Sequence, residues 1–204
     1  MMYRTNADNS GISLIELIVV VLIISIISVS AVITVSAYMN ADVQSAAKKL
    51  GVVMNNGRSE ALAQNGDTTE IVVRVFEVNS NYYAGIYKYM TGNVNAAGLM
   101  DENRDDVIAV QKLGSTSFTI TAAKKETLTD ARPVTIDKLY EYSFNKATGA
   151  LGNVYERTAS GGTYGTRSEV SATSKEYTDI ILSGSDTYKV FFTVAGRCIS
   201  EQVD

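Results

Sequence analysis

Between Leu17 and Ala41 the chain runs for 25 residues without a Lys, Arg, Asp or Glu, and Glu16 stands at the entrance to that run. Hydrocarbon about 30 Å thick is crossed by roughly 20 apolar residues of helix, so this stretch is long enough to span a bilayer. The only proline, Pro133, lies far downstream, and every helix before it is free of proline kinks. Everything after the run reads as cargo on that helix.

Residues 1–10 are short, polar and nearly neutral, with Arg4 balanced by Asp8. A secretory signal places its small-residue cleavage site after a shorter apolar core. Here the small residue, Gly11, precedes the core, so a cut after it keeps the hydrophobic helix in the mature chain. Arg4 and the amino terminus are the positive charges that favour a cytoplasmic N-terminus, which puts residues 42–204 outside.

The helix is expected to continue beyond the apolar run. Val43, Ala46, Ala47, Leu50, Val53, Met54, Gly57 and Ala61 recur at three- and four-residue steps, the pattern of one buried helix face. Asn65-Gly66-Asp67 is a stop signal, and Gly51 and Gly57 weigh against continuity. A helix over 13–64 would be about 78 Å long. After Gly66 the pattern turns to strands: Glu70–Val78 and Tyr82–Met90 around an Asn79-Ser80-Asn81 turn, then Val107–Leu113, Ser117–Ala122, Pro133–Phe144, Thr178–Leu182 and Tyr188–Val194. The expected class is α+β, a long N-terminal helix packed on an antiparallel sheet or small sandwich. The tyrosines are read as half-buried strand residues with their hydroxyls in water. Residues 158–176, rich in Ser, Thr and Gly, read as a long surface loop.

Several functions fall away on composition. With 18 basic against 22 acidic residues the net charge is −4, and no basic cluster invites nucleic acid. The absence of histidine removes the commonest general base and metal ligand. No nucleophile motif or phosphate loop is present, so an enzyme is not expected. Cys198 has no partner for an intramolecular disulfide and reads as a small hydrophobe in a C-terminal strand. Asp101, Asn103 and Asp105 place three oxygen donors at alternate positions, as in a calcium loop. Asp106 and Lys112 stand where an EF-hand needs Gly and Glu, so the competing reading is a solvated acidic turn.

Gly11-Ile12-Ser13-Leu14-Ile15-Glu16-Leu17 with the apolar helix resembles the N-terminal signal of type IV pilins and type II secretion pseudopilins. The resemblance implies cleavage by a prepilin peptidase between Gly11 and Ile12, N-methylation of Ile12, and a role for Glu16 in assembly. Ile12 stands where the family usually has Phe, and the leader carries less positive charge than most. It divides the chain into a leader (1–11), a membrane and assembly helix (12–41), an amphipathic helix (42–65) and a β-rich extracytoplasmic domain (66–204), in a pilin-like fold. Implied partners are other pilin or pseudopilin subunits, the peptidase, an inner-membrane assembly platform and cytoplasmic-membrane lipids. Implied locations are the cytoplasmic membrane and then a fibre on the cell surface or in the periplasm. No organic cofactor is implied. Further along, Asn56–Asn65, Phe144–Leu151 and Val194–Ile199 are similar to elements of H-class minor pseudopilins and related minor pilins, with Gly57 where that pattern has alanine. The alternative from another class is a single-span, membrane-tethered binding domain that never polymerises.

Overall fold

The computed structural model describes residues 14–64, 68–124, 127–170, 179–193 and 196–203, with the backbone alone at 26–41 and 127–131. The chain divides after Tyr38 into two units. One helix, α1 (Leu14–Ala63), begins in the first and ends in the second without a break at either glycine. The strands, all in the second unit, are β1 (Ile71–Val78), β2 (Asn81–Lys88), β3 (Val94–Asn95), β4 (Val107–Ser115), β5 (Thr119–Lys124), β6 (Thr127–Pro133), β7 (Lys138–Phe144), β8 (Leu151–Ser160), β9 (Thr163–Tyr164), β10 (Ser168–Glu169), β11 (Asp179–Ser183), β12 (Thr187–Phe192) and β13 (Cys198–Val203). An N-terminal helix with antiparallel sheets is the expected α+β class.

The strands form two sheets. The larger has the order β3-β9-β8-β7-β1-β2-β4 with β10 beside β8, and the smaller runs β13-β12-β11-β5-β6. All eight expected face positions of α1, from Val43 to Ala61, are buried, whereas Gln44, Lys48, Val52 and Asn56 are exposed. The spacing of about 3.6 residues per turn therefore sets which side of the helix meets the sheets. Val43, Leu50 and Met54 share one buried cluster with Ile71, Val73 and Val75 of the large sheet and with Ile120, Ile180 and Val190 of the small one. Strand alternation sends Val72 and Phe76 to the opposite face, into a second cluster with Tyr87, Leu99, Leu139 and Tyr164. Strand β1 is thus buried on both faces.

Three expectations fail here, each for a local reason. Pro133–Phe144 is not one strand: β6 ends at Pro133 in the small sheet, and β7 starts at Lys138 in the large one. Proline cannot donate to a ladder, and β6 is an edge strand where that deficit is tolerated. Residues 158–170 are not a bare loop. Gly161 and Gly162 both have positive φ and close a two-residue hairpin between Ser160 and Thr163, the geometry that a primed turn demands. Arg167 then lies between the rings of Tyr89 and Tyr155, at 3.6 and 3.9 Å, and pairs with Glu70 at 2.9 Å. The rest of the expected loop, 171–178, lies outside the described residues. Finally, Tyr87, Tyr140, Tyr142 and Tyr164 are fully buried rather than half-wet. Three of the hydroxyls have protein acceptors: Tyr87 donates to the Leu99 carbonyl at 2.6 Å, Tyr164 to that of Ile136 at 2.9 Å and Tyr140 to Glu156 Oε2 at 3.1 Å.

Candidate functional site

Glu16 lies in the first turn of α1, where the helix dipole favours a carboxylate. It is exposed, and so are the apolar side chains around it: Leu14 is 75% accessible, Leu17 57% and Ile24 57%. Ser25 turns its hydroxyl back onto the Val21 carbonyl at 2.7 Å, the local bond by which a hydroxyl on an apolar helix avoids being left unsatisfied. An unbroken collar of exposed Leu, Ile and Val exceeds the apolar patches a soluble monomer ordinarily shows. Gly11 and Ile12 lie outside the described residues. Among the described residues no helix is long and apolar enough to cross a membrane; the side chains of 26–41, most of the expected span, fall outside that set.

The three downstream segments meet at one place. Arg58 Nε donates to the Gly149 carbonyl at 3.1 Å. Gly149 and Gly196 both have positive φ, and a Cβ on Gly196 would lie 2.9 Å from the Gly149 carbonyl and 3.1 Å from Arg58 Nε. One helical turn earlier, Asn55 acts as a strand surrogate. Its Nδ2 donates to the Cys198 carbonyl at 2.9 Å and its Oδ1 accepts from the Cys198 amide at 2.9 Å. The side-chain amide thereby satisfies the first residue of β13 as a neighbouring strand would. Burial pushes the Cys198 thiol up to about 12, which suits an inert packing residue. Asn55→Ala removes both bonds and leaves two backbone groups wanting, so urea unfolding should show a loss of about 2 kcal/mol. A change below about 0.5 kcal/mol would mean water replaces the amide freely.

The acidic turn is built from its own side chains. Asp101 Oδ1 accepts from both the backbone and the side-chain amide of Asn103 at 3.1 Å. Arg104 forks onto Asp106 at 2.8 and 3.0 Å. Asp105 is exposed on the same turn. Among the described residues no three acidic, Cys or His side chains are grouped to hold a metal.

Sequence reasoning passed over one constellation. On the face of the large sheet away from α1, Glu141 Oε1 accepts from Arg74 Nε at 2.7 Å and from Arg157 Nε at 2.8 Å, with all three side chains at most 1% exposed. Arg74 and Glu141 sit opposite each other in the β1–β7 register. Arg157 also donates to the Gly92 and Gly165 carbonyls, at 2.7 and 2.8 Å, fastening two loops over the sheet. The legible signal was a lone arginine inside the apolar strand Ile71–Val78 and a lone glutamate inside the tyrosine-rich strand Lys138–Phe144. Charges so placed are either paired or absent. The triad holds structure, joining β1, β7 and β8.

Among families, the model described as the prokaryotic N-terminal methylation motif matches residues 6–32, a span that includes Gly11, Ile12 and Glu16. No curated protein and no solved structure matches the chain. The motif points to a structural protein rather than an enzyme, processed by prepilin peptidase and associating with other pilin-type subunits. This chain bears the N-terminal methylation signal of the type IV pilins and pseudopilins.

Proposed function

We propose that the protein is a structural subunit of a type IV pilus-like or type II secretion pseudopilus fibre. It is inserted in the cytoplasmic membrane through residues 12–41, cut after Gly11 and methylated at Ile12. The observation that carries this is a carboxylate, Glu16, at the fifth position of the mature chain, in the first turn of a helix whose side chains there are otherwise apolar and exposed. A carboxylate entering lipid costs up to about 2.5–3.5 kcal/mol at the centre and needs a counter-charge. Cleavage supplies one, because an α-ammonium with an ordinary pKa of about 7.7–8.0 is mostly charged at neutral pH. In a bundle of axially offset helices, the Ile12 ammonium of one subunit meets Glu16 of the next and both charges are neutralised together. Downstream likeness to H-class subunits favours a minor role, which abundance in sheared fibres decides.

Mass spectrometry of the membrane-extracted protein should find methyl-Ile12 at the amino terminus. Residues 1–11 persisting beside an active prepilin peptidase would refute the reading. Glu16→Ala should insert normally yet lose entry into fibres by tenfold or more, whereas a tethered domain that never polymerises would be indifferent.

A further inference from the structure

Where α1 crosses the edge of the large sheet there is a groove of about 480 Å³. Lys48, Lys49 and Val52 of α1 form one wall, and Ala84 and Ile86 of β2 with Val110 of β4 form the floor and the other. β4 is the terminal strand of that sheet, and among the described residues no further strand pairs with its outer side. The groove is apolar within and basic at its rim. Val52 is 58% exposed, and neither lysine has a carboxylate partner among the described residues. Ala84 and Ile86 are buried, so the apolar surface the groove offers is Val52 and the half-buried Val110; two amines beside it select an occupant that is both acidic and greasy.

The chain carries such an element in the turn before β4. Arg104 is paired with Asp106 although 36% of its side chain stays accessible, and the carboxylates of Asp101, Glu102 and Asp105 are exposed on the same turn. Met100 is 38% exposed beside them and Met90 56%, and methionine adapts readily to irregular apolar surfaces. The turn cannot reach the groove of its own molecule. Residues from Val107 onward are held extended against β2, and the groove opens at Val110, beyond the turn on that same strand.

We propose that this groove receives the Met100–Asp105 turn of a second copy of the chain, with Met100 against Val52 and Val110 and Asp101 and Glu102 against Lys48 and Lys49. The contact rests on the fibre-subunit reading, and adds to it a globular-domain interface distinct from the helix bundle. Groove and turn are different patches, so the contact is heterologous, the kind that builds a filament when its rotation does not close into a ring. It needs adjacent copies, and so belongs to the reading in which the subunit is abundant in the fibre rather than minor.

The test is oxidative cross-linking of the full chain in cells that assemble the fibre, with Val52→Cys and Met100→Cys. Native Cys198 is buried and stays out of the reaction. Both substitutions on one chain should give a ladder, chains carrying one each should give dimers when mixed, and neither alone should give a product. Lys48→Glu with Lys49→Glu should cut the yield about tenfold, a loss equivalent to 1.4 kcal/mol, and Asp101→Lys with Glu102→Lys on the partner should restore it. No ladder from a chain that still enters fibres overturns the groove contact and leaves the fibre reading standing. Products only with a different subunit, or one copy per fibre, overturn it likewise. Failure of the unmodified chain to enter any fibre overturns both.

Discussion

Glu141→Ala should lower the unfolding free energy of the full chain in detergent by about 3–5 kcal/mol, because it strands two guanidiniums in the interior. For a domain of this size the melting midpoint should fall by roughly 10 °C. Arg74 and Arg157 both bond the same oxygen of Glu141, and none of the three side chains is more than 1% exposed. The group carries a net positive charge out of water, softened by the Tyr87 ring 4.6 Å from the Arg74 guanidinium and by the two glycine carbonyls on Arg157. Glu141 Oε2 and the Nη2 atoms of both arginines make no hydrogen bond within the described residues. The triad is therefore expensive to keep and more expensive to break. Arg74→Met combined with Glu141→Leu should cost less than Glu141→Ala alone, since Arg157 keeps its carbonyls and one buried charge is gone. A Glu141→Ala loss below about 1 kcal/mol in denaturant titrations would show that the carboxylate does not hold this face.

The same substitution at two glycines of α1 should have opposite signs. At Gly51 a Cβ would meet nothing within 4 Å, so Gly51→Ala should stabilise by about 0.5–1 kcal/mol through helix propensity alone. At Gly57 a Cβ would collide with Val73 Cγ2 and sit 3.4 Å from Phe144 Cε2. Overpacking a well-filled core costs about 1–3 kcal/mol, which outweighs the propensity gain. Gly57→Ala should therefore destabilise, and Val73→Ala in the same chain should return part of the loss, as coupled neighbours do. Equal shifts at the two positions would refute the packing argument. The collision also gives a physical reason for glycine where the resembled pattern has alanine: here the bulk is supplied by Val73 from the strand.

What the sequence displayed and what it hid divide along the same lines. The face of α1 was legible because eight apolar or small residues repeat at helical spacing and a single partner surface reads them. The β1–β2 hairpin was legible because Asn79 and Ser80 accept the positive φ that a two-residue turn needs. β8 was not, since its buried positions include Arg157, whose burial depends on a glutamate sixteen residues away. No local period announces a charge that is satisfied from another strand. β13 was legible only at its first residue, Cys198, read as a small hydrophobe in a C-terminal strand; the helix side chain that completes it leaves no strand pattern. Gly161-Gly162 read as part of a long surface loop by composition and is a tight turn by geometry. Of the candidate site, the motif at Gly11, Ile12 and Glu16 was readable because its meaning lies in the order of residues rather than in a fold.

The Asn55 clip has a consequence for how such a domain is made. It joins residues 143 positions apart, and contacts of that separation form late because the intervening chain must first be closed into a loop. On a chain made from its amino terminus, α1 is complete long before Cys198 is added. Until then, the end of the helix that bears Asn55 and Arg58 waits without β13, and an emerging chain is at its most exposed to proteases and to wrong partners. Quality control can thus act on one late event, the docking of the final strand, rather than on the fold as a whole.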